Sequence, residues 1–305
     1  MEIVAHTYSI VARDPETGQL GVGVQSHSFA CGAVVPWVEQ GVGAVATQAM
    51  ADISYGPLGL ELMRAGKTAE QALAGLVAAD PESDIRQVAM IDGSGRVAVH
   101  SGSRCIAHAG HVIGDQFSVQ GNLLAKPDVW EKMAEAYQKA KGDLSERILN
   151  ALEAAQKAGG DVRGMQSAAL IVVPGPDDPI RRPAITNLRV DDSRQPLLEL
   201  RRLLTIQRAY EWKAQGIHAV EQGDMKTARE SYGKLRGLVV GTREPLFWYA
   251  TALARHGHLD EALVIFKEVF AVEPVWRSLI DRLAKAGFFP ADEAIVSRVK
   301  SLPEK

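Results

Sequence analysis

The chain has 305 residues, a formal net charge of -3 at pH 7, and 46% hydrophobic against 23% charged residues. This balance allows a sizeable core and excludes disorder, collagen and coiled coil as descriptions of the whole chain. With 34 Lys and Arg against 37 Asp and Glu, and no basic run interleaved with aromatics, the sequence indicates no nucleic-acid partner. No apolar stretch approaches the roughly 18 to 20 residues that cross a bilayer, so no membrane partner is expected either.

The amino-terminal segment lacks the basic and apolar regions of a secretory signal, which predicts a cytoplasmic protein. Cys31 and Cys105 are too few for a disulfide framework and lack metal-site or redox spacing, so both are expected to be small buried hydrophobes. His100, His108 and His111 have no carboxylate pattern around them, which argues against zinc. We therefore expect no required metal or organic cofactor.

Short apolar runs typical of β-strands open the chain. The runs at 9–12 and 21–24 flank a turn cluster rich in Pro, Gly and Asp, which predicts a hairpin. If 15–18 form the loop, the numbers of paired residues sum to 33, and Thr7 lies opposite Ser26. Residues directly across an antiparallel ladder have Cβ atoms roughly 4.5 to 5.5 Å apart, so this pairing brings the two side chains together.

The rest of the first region predicts strands and helices in separate groups. A third strand is expected at 43–48, and a second hairpin at 88–91 and 97–100 around an Asp-Gly turn. More strands are expected after this hairpin, to about Asn122, and two others at 167–173 and 186–190. One helix pair is expected over 58–79, broken at Gly66-Lys67-Thr68, where Thr68 with Gln71 resembles a capping box. A second pair is expected over 127–158, broken at Gly142-Asp143. Segregated groups of this kind favour an α+β domain over strict βαβ alternation.

From about Leu197 the pattern is helical throughout and repeats. Three residues recur 34 positions later: Gly223, Ala228 and Tyr232 as Gly257, Ala262 and Phe266. This is the period of the tetratricopeptide repeat, in which a helix-turn-helix unit stacks on its neighbour. The sequence thus predicts a first domain at 1–208 and an all-α tetratricopeptide-like domain at 209–305, with a plain helical bundle as the alternative.

Two repeats and a flanking helix lie near the minimum for independent stability, so the helical region is expected to dock on something. The first domain, a protein partner and a second copy of the chain all fit this expectation. A concave repeat surface favours protein contact for the region as a whole, while most of its aromatic residues are expected in the stacked core.

Several motifs of the first region occur in a recognisable order. They are Thr7-Tyr8-Ser9-Ile10-Val11-Ala12-Arg13-Asp14, Gly21-Val22-Gly23-Val24-Gln25-Ser26, Gly32-Ala33-Val34-Val35-Pro36-Trp37, Gly43-Ala44-Val45-Ala46-Thr47-Gln48-Ala49, Tyr55-Gly56-Pro57, Val119-Gln120-Gly121-Asn122 and Gln166-Ser167-Ala168-Ala169. Together they resemble a bacterial and archaeal family catalogued as domain of unknown function 1028, which is assigned to the Ntn-hydrolase superfamily. The resemblance covers about residues 6–208 and implies a four-layer αββα sandwich, with two packed sheets and helices outside.

Ntn hydrolases cleave amide bonds with a Thr, Ser or Cys that begins the mature chain and uses its own α-amine as the base. The resemblance implies Thr7 as nucleophile, since an α-amine, whose pKa is ordinarily about 7.7 to 8.0, can take the hydroxyl proton. Met1 to His6 precede it, so the mechanism requires cleavage at His6-Thr7 or a later start. The proteasome-like branch also uses a lysine, and here none precedes Lys67.

Other polar residues fit the same pocket. Gln48 and Asn122 are candidate oxyanion donors, because a tetrahedral intermediate needs preorganised N–H groups. The candidate substrate-binding residues are Ser26, His27, Ser28 and Gln120. Each residue also has a structural interpretation, Thr7 as a β-branched strand former and the others as strand-end or bracing hydrogen-bonders.

Two functional hypotheses follow. The first is an Ntn-type amidohydrolase that acts on a small amide or peptide-like substrate between the sheets, with Thr7 as nucleophile. The second is a non-catalytic ligand-binding or scaffolding protein whose helical region captures a partner or a second copy. Only the first requires a free α-amine on Thr7.

Overall fold

The computed structural model describes residues 3–178, 184–239 and 241–303. The chain divides into two compact units, Met1–Arg201 and Arg202–Lys305. The first combines antiparallel sheets with helices, and the second is helical. The division lies within a single helix, Pro196–Glu221, as does the boundary expected after residue 208. Met1 and Glu2 lie outside the described residues.

The strands of the first unit form two antiparallel sheets. They are β1 (Ile3–Ala5), β2 (Thr7–Arg13), β3 (Leu20–Ser26), β4 (Pro36–Glu39), β5 (Gly43–Ala51), β6 (Arg86–Asp92), β7 (Val97–Ser101), β8 (Gly110–Gly114), β9 (Phe117–Gly121), β10 (Ser167–Val173) and β11 (Thr186–Val190). The five-stranded sheet has the order β1-β5-β6-β7, with β4 also paired to β5. The six-stranded sheet has the order β11-β10-β3-β2-β9-β8.

Helices occupy the intervals between the strand groups and the carboxyl-terminal third. They are α1 (Tyr55–Arg64), α2 (Ala69–Ala79), α3 (Val129–Lys139), α4 (Leu144–Ala158), α5 (Pro196–Glu221), α6 (Met225–Leu238), α7 (Glu244–Arg255), α8 (Leu259–Val272), α9 (Ile280–Lys285) and α10 (Glu293–Lys300). Short 3-10 helices lie at Cys31–Ala33, Ser83–Ile85 and Pro274–Leu279. None of the helices in the described part of the chain has the length and apolarity to cross a membrane.

The predicted first hairpin is confirmed in its register. The pairs run from Thr7 with Ser26 to Arg13 with Leu20. The turn is closed by Asp14, whose Oδ1 accepts hydrogen bonds from backbone N–H groups of the loop. The turn chemistry therefore sets which side chains of the two strands lie opposite one another.

Most other predicted elements of the first unit are confirmed. The second hairpin, the capping box, the break between α3 and α4 and the last two strands lie where the sequence indicates. Two strands were not predicted, β1 and β4, which are three and four residues long. Both are held by pairing with β5, and so short a strand has no periodicity to detect.

Helices cover the outer face of each sheet. On the five-stranded sheet, α1 approaches so closely that a Cβ on Gly59 would come within 2.8 Å of the Met90 side chain. On the six-stranded sheet, a Cβ on Gly23 would meet Ile148 of α4 at 2.4 Å. The inner faces of the two sheets share a core cluster to which several short apolar side chains contribute, among them Val11, Val22, Ala44, Ala46 and Ile91. The layers therefore follow the order helix, sheet, sheet, helix.

The cysteine expectation holds for one residue and is corrected for the other. Cys31 is buried, and burial raises the pKa of its thiol to about 12. Cys105 is only partly buried, because it lies in the loop after β7, where its Sγ contacts the carbonyl oxygen of Arg86.

In the second unit, two helices repeat with the same 34-residue spacing as the sequence. α6 and α8 begin 34 residues apart and end 34 residues apart. Ala228 and Ala262, the small residues of the period, are both fully buried. Gly223 and Gly257 adopt φ of +75° and +86°, the left-handed region that glycine occupies at no steric cost. Each turn between paired helices therefore needs its glycine.

Gln25, on β3 of the six-stranded sheet, provides a test of how much an unpaired buried polar side chain costs in stability. Its side chain is fully buried, and neither amide atom has a hydrogen-bond partner. Since an unsatisfied buried group costs about 1–3 kcal/mol, we expect Gln25→Met to raise the free energy of unfolding by about 1–2 kcal/mol in urea denaturation.

The matched control is Gln120→Met. Gln120 is equally buried, but both of its amide atoms are hydrogen-bonded, so the same substitution should destabilise the protein. Equal effects of the two substitutions would contradict the interpretation.

Candidate functional site

A cluster of polar side chains lies between the two sheets at one end of their apolar inner faces. We call it the inter-sheet cluster; its members, all without solvent exposure, are Thr7, Ser9, Ser26, Gln48, Gln87, Ser118, Gln120 and Asn122. They come from β2, β3, β5, β6 and β9 and from the residue after β9. Buried polar groups at this density require a hydrogen-bond network.

Strand alternation explains why these residues share one face. Thr7 and Ser9 are two positions apart on β2, so both point to the inner side. Cross-strand pairing then places Ser26 opposite Thr7 and Gln120 opposite Ser9.

Gln87 determines which amide groups of the cluster donate hydrogen bonds and which accept them; we call this the polarity of the cluster. Its Nε2 donates to the backbone carbonyl of Gly121 at 2.9 Å, and a carbonyl can only accept. Its Oε1 therefore faces the other way and accepts from Gln48 Nε2 at 2.7 Å and from Asn122 Nδ2 at 2.9 Å. One backbone contact thus orients three amide side chains.

The orientation extends through Ser9. The Ser9 hydroxyl donates to Gln48 Oε1 at 2.6 Å and accepts from Gln120 Nε2 at 2.6 Å. The remaining oxygen of Gln120 accepts from Ser118 at 2.9 Å. Each of these groups has a fixed role as donor or acceptor.

Thr7 is the exception within the cluster. Its backbone carbonyl accepts from the N–H of Asn122 at 3.0 Å and from Gln48 Nε2 at 3.4 Å. Its Oγ1 is buried and has no hydrogen-bond partner. An unpaired buried hydroxyl costs about 1–3 kcal/mol, so the fold retains it against its own stability.

The carbonyl immediately before Thr7 is held by two donors. The oxygen of His6 accepts from Ser26 Oγ at 2.7 Å and from Arg163 Nη2 at 2.8 Å. This oxygen belongs to the peptide bond between His6 and Thr7. Two donors, one of them charged, polarise that carbonyl and match the arrangement that stabilises an oxyanion.

Arg163 is itself held in place by Asp161. Its Nη2 lies 2.7 Å from Asp161 Oδ2, and its Nε donates to Oδ1 at 3.0 Å. The carboxylate of Asp161 is fully buried, while the Arg163 side chain is 29% exposed. The guanidinium therefore reaches the His6 carbonyl in a fixed geometry.

The His6 ring contacts the same cluster. Asn122 Oδ1 faces Nδ1 of His6 at 2.8 Å, and since Oδ1 can only accept, Nδ1 carries the proton. Burial lowers the pKa of His6, and the nearby Arg163 cation acts in the same direction, while the Asn122 hydrogen bond and Asp161 oppose the shift. The imidazole is therefore neutral at neutral pH.

β5 breaks its alternation beside Gln48. Ala44 and Ala46 pack in the inner core, as does Ala51, which would face outward in a regular strand. Ala49 lies between them with φ of +71°, a costly conformation for a residue with a Cβ. Strain of this kind concentrates at functional sites.

Five of the predicted site residues come together in the inter-sheet cluster: Thr7, Ser26, Gln48, Gln120 and Asn122. The other two, His27 and Ser28, follow β3, and the structure does not bring the exposed His27 side chain into the cluster. The oxyanion role of Gln48 and Asn122 remains a prediction. Their amide nitrogens donate to Gln87, and the donors at the His6 carbonyl are different groups.

Sequence reasoning missed His6, Gln87, Asp161 and Arg163. Gln87 lies one residue before the predicted strand at 88–91 and has the same parity as Ala89 and Ile91, and this was an available signal. Arg163 lies between α4 and β10 in a loop without periodicity, so no pattern indicated it.

In residues 3–178, 184–239 and 241–303, no group of three or more His, Cys, Asp or Glu side chains is arranged to hold a metal ion. His100 instead contacts the carbonyl oxygen of Ser83, and His111 contacts the Ser101 hydroxyl.

The comparisons with known proteins agree on one family. The model of a family described as "Family of unknown function (DUF1028)" matches residues 7–200. The crystal structure of a DUF1028 protein from Silicibacter pomeroyi is similar, with a TM-score of 0.60 and 32% sequence identity. The match covers 66% of this chain and 85% of that chain. No curated protein matches.

Gln87 provides a test of the cluster. Gln87→Met removes the acceptor of Asn122 Nδ2 and a donor to the Gly121 carbonyl, and it leaves Gln48 Nε2 with only its longer contact to the Thr7 carbonyl. We expect a loss of about 2–4 kcal/mol in the free energy of unfolding, measured by urea denaturation.

The control for this substitution is Gln40→Met. Gln40 is exposed and donates to one backbone carbonyl, so its loss should cost about 1 kcal/mol or less. If both substitutions have the same small effect, Gln87 does not organise the site.

Proposed function

The chain belongs to the DUF1028 family, and we propose that it is an Ntn-type amidohydrolase whose nucleophile is Thr7. In this proposal the peptide bond between His6 and Thr7 is cleaved first. The processed chain then begins with Thr7, whose α-amine acts as the base in hydrolysis of an amide or peptide-like substrate.

The observation that carries the proposal is that a hydroxyl without a hydrogen-bond partner lies next in the chain to a polarised carbonyl. Thr7 Oγ1 is buried without a partner, and the adjacent His6 carbonyl accepts from Ser26 and Arg163. A purely structural threonine in this position would be expected to satisfy its hydroxyl.

The cleavage step uses the groups already present. Thr7 Oγ1 attacks the His6 carbonyl carbon, and the oxyanion receives the hydrogen bonds of Ser26 and Arg163. The carbon–nitrogen bond breaks, the hydroxyl proton passes to the departing nitrogen, and His6 is left as an ester on Oγ1. Water then hydrolyses the ester, which releases residues 1–6 with a terminal carboxylate and frees the amine of Thr7.

The same groups serve the processed chain. Once His6 has left, Ser26 Oγ and Arg163 Nη2 are available to the acyl oxygen of a substrate. The guanidinium next to the new terminus favours the neutral form of the amine, which is the form that accepts a proton, and the Asp161 carboxylate that holds it acts in the opposite direction. Arg163 thereby supplies the positive charge that lysine supplies in the proteasome-like branch. The reaction itself requires no metal or organic cofactor.

The layer order supports the proposed superfamily. Helices outside two facing antiparallel sheets correspond to the αββα sandwich of Ntn hydrolases, and Thr7 begins a strand whose inner face lines the space between the sheets.

The second unit is proposed as a tetratricopeptide-like module that binds a protein partner or a second copy of the chain. The 34-residue offset of α6 and α8 and the buried Ala228 and Ala262 support it.

The first test is the mature terminus. Protein expressed from Met1 should lose residues 1–6 by intact mass and show Thr7 in amino-terminal sequencing. Thr7→Ser should still be cleaved, since it keeps a hydroxyl, whereas Thr7→Ala should stay intact. Thr186→Ala, a buried threonine at the far edge of the same sheet, should be cleaved normally.

An intact Met1 or Glu2 terminus in fresh and aged protein would contradict the proposal. That outcome would favour the alternative, a binding or scaffolding protein that keeps its first residues. Cleavage without any amide hydrolysis by the processed chain would restrict Thr7 to a role in processing.

The two carbonyl donors give a second test. Ser26→Ala and Arg163→Met should each lower the rate of cleavage about 10²- to 10³-fold, the usual effect of losing one oxyanion donor. Arg13→Met removes a guanidinium that also donates to a backbone carbonyl, at the other end of β2, and should leave the cleavage rate unchanged. Equal rates in all three variants would exclude an oxyanion role for the pair.

A further inference from the structure

We propose that, in the processed chain, the edge of β5 at Ala49–Ala51 binds an extended peptide, so that the substrate is a peptide rather than an isolated small amide. The inference rests on the proposed function, because it requires residues 1–6 to leave. It follows from what residues 3–6 occupy in the uncut chain.

β1 covers a part of the β5 edge that no other described strand reaches. β4 pairs with β5 along Pro36–Glu39 and ends at Ala46, while β1 pairs with Ala49–Ala51. On the other side of β5, β6 extends only to Ala49. Loss of β1 leaves backbone N–H and C=O groups without partners, and such an edge is a template for another extended chain.

A peptide on this edge leads directly to the nucleophile. Only His6 separates β1 from Thr7, and the His6 carbonyl lies between its donors Ser26 and Arg163. A peptide that follows the path of residues 3–6 therefore brings its fourth carbonyl to the same two donors, next to Thr7 Oγ1. The amide after that carbonyl is the bond to be hydrolysed.

The side chain at the position of His6 meets a fixed acceptor. Asn122 Nδ2 donates to Gln87, so Asn122 Oδ1 is left to accept from the His6 ring. A substrate with an N–H donor at this position satisfies that buried oxygen, whereas an apolar side chain leaves it unpaired. We therefore expect a preference for histidine or an amide side chain before the scissile bond.

A peptide with the sequence of residues 3–6, here called the leader, tests the site when it is supplied as a separate molecule. The protein is the chain that begins at residue 7, with Thr7→Ala so that the peptide is not consumed, and its fold is checked by circular dichroism. The probe is fluorescein-labelled Ile-Val-Ala-His-amide, followed by fluorescence anisotropy. We expect saturable binding, and binding at least about tenfold weaker to the full-length Thr7→Ala chain, in which β1 fills the edge.

Two N-methylated probes test strand addition. One carries the methyl group on the backbone nitrogen of valine and the other on that of alanine. The N–H groups of adjacent residues in a strand point to opposite sides, so only one methyl group should weaken binding, by about tenfold or more. Equal effects of the two methyl groups, or no saturable binding at millimolar probe, would overturn the proposal.

The Thr7→Ala chain keeps this outcome separate from catalysis. Peptide binding by the chain that begins at residue 7, without cleavage or hydrolysis by the wild-type chain, would remove the proposed function and leave a strand-binding edge that β1 keeps covered. Self-cleavage and hydrolysis of simple amides without binding of the leader peptide would remove the binding site and leave the proposed function.

Discussion

The hydrogen bond from Gln87 Nε2 to the backbone carbonyl of Gly121 sets the polarity of the candidate site. Because a carbonyl only accepts, this contact decides that Gln87 presents Oε1 to Gln48 and Asn122. Because Gln48 donates to Gln87 through Nε2, its Oε1 is left to accept a hydrogen bond from the Ser9 hydroxyl. These hydrogen bonds link strands from both sheets into one unit, and within the cluster the Thr7 hydroxyl is the group left without a partner.

The Thr7 hydroxyl differs from the other members of the cluster because it has no hydrogen-bond partner. The groups around it are fully paired, yet Thr7 Oγ1 is buried without a partner and adjoins the His6 carbonyl held by Ser26 and Arg163. An unsatisfied buried polar group in a native fold calls for an explanation, and a catalytic role is one of those that account for such groups. The strained backbone of Ala49 on β5, in the facing sheet, fits the same explanation.

The proposed cleavage and the proposed peptide site are two consequences of one arrangement. While β1 remains paired with β5, residues 3–6 occupy the path to Thr7. Their departure would free an amine, two carbonyl donors and a strand edge together. The leader therefore describes the expected substrate, since it fits the same groups in an extended conformation.

The sequence by itself determined the local elements and much of the cluster. Turn chemistry set the first hairpin, so that Thr7 and Ser26 were paired correctly, and the 34-residue period located α6 and α8. Tertiary structure decided the rest. The donors to the His6 carbonyl lie 20 and 157 residues away along the chain. Strand and helix periods describe only near neighbours, so contacts between distant residues, including the pairing of β1 with β5, appear only when the sheets pack.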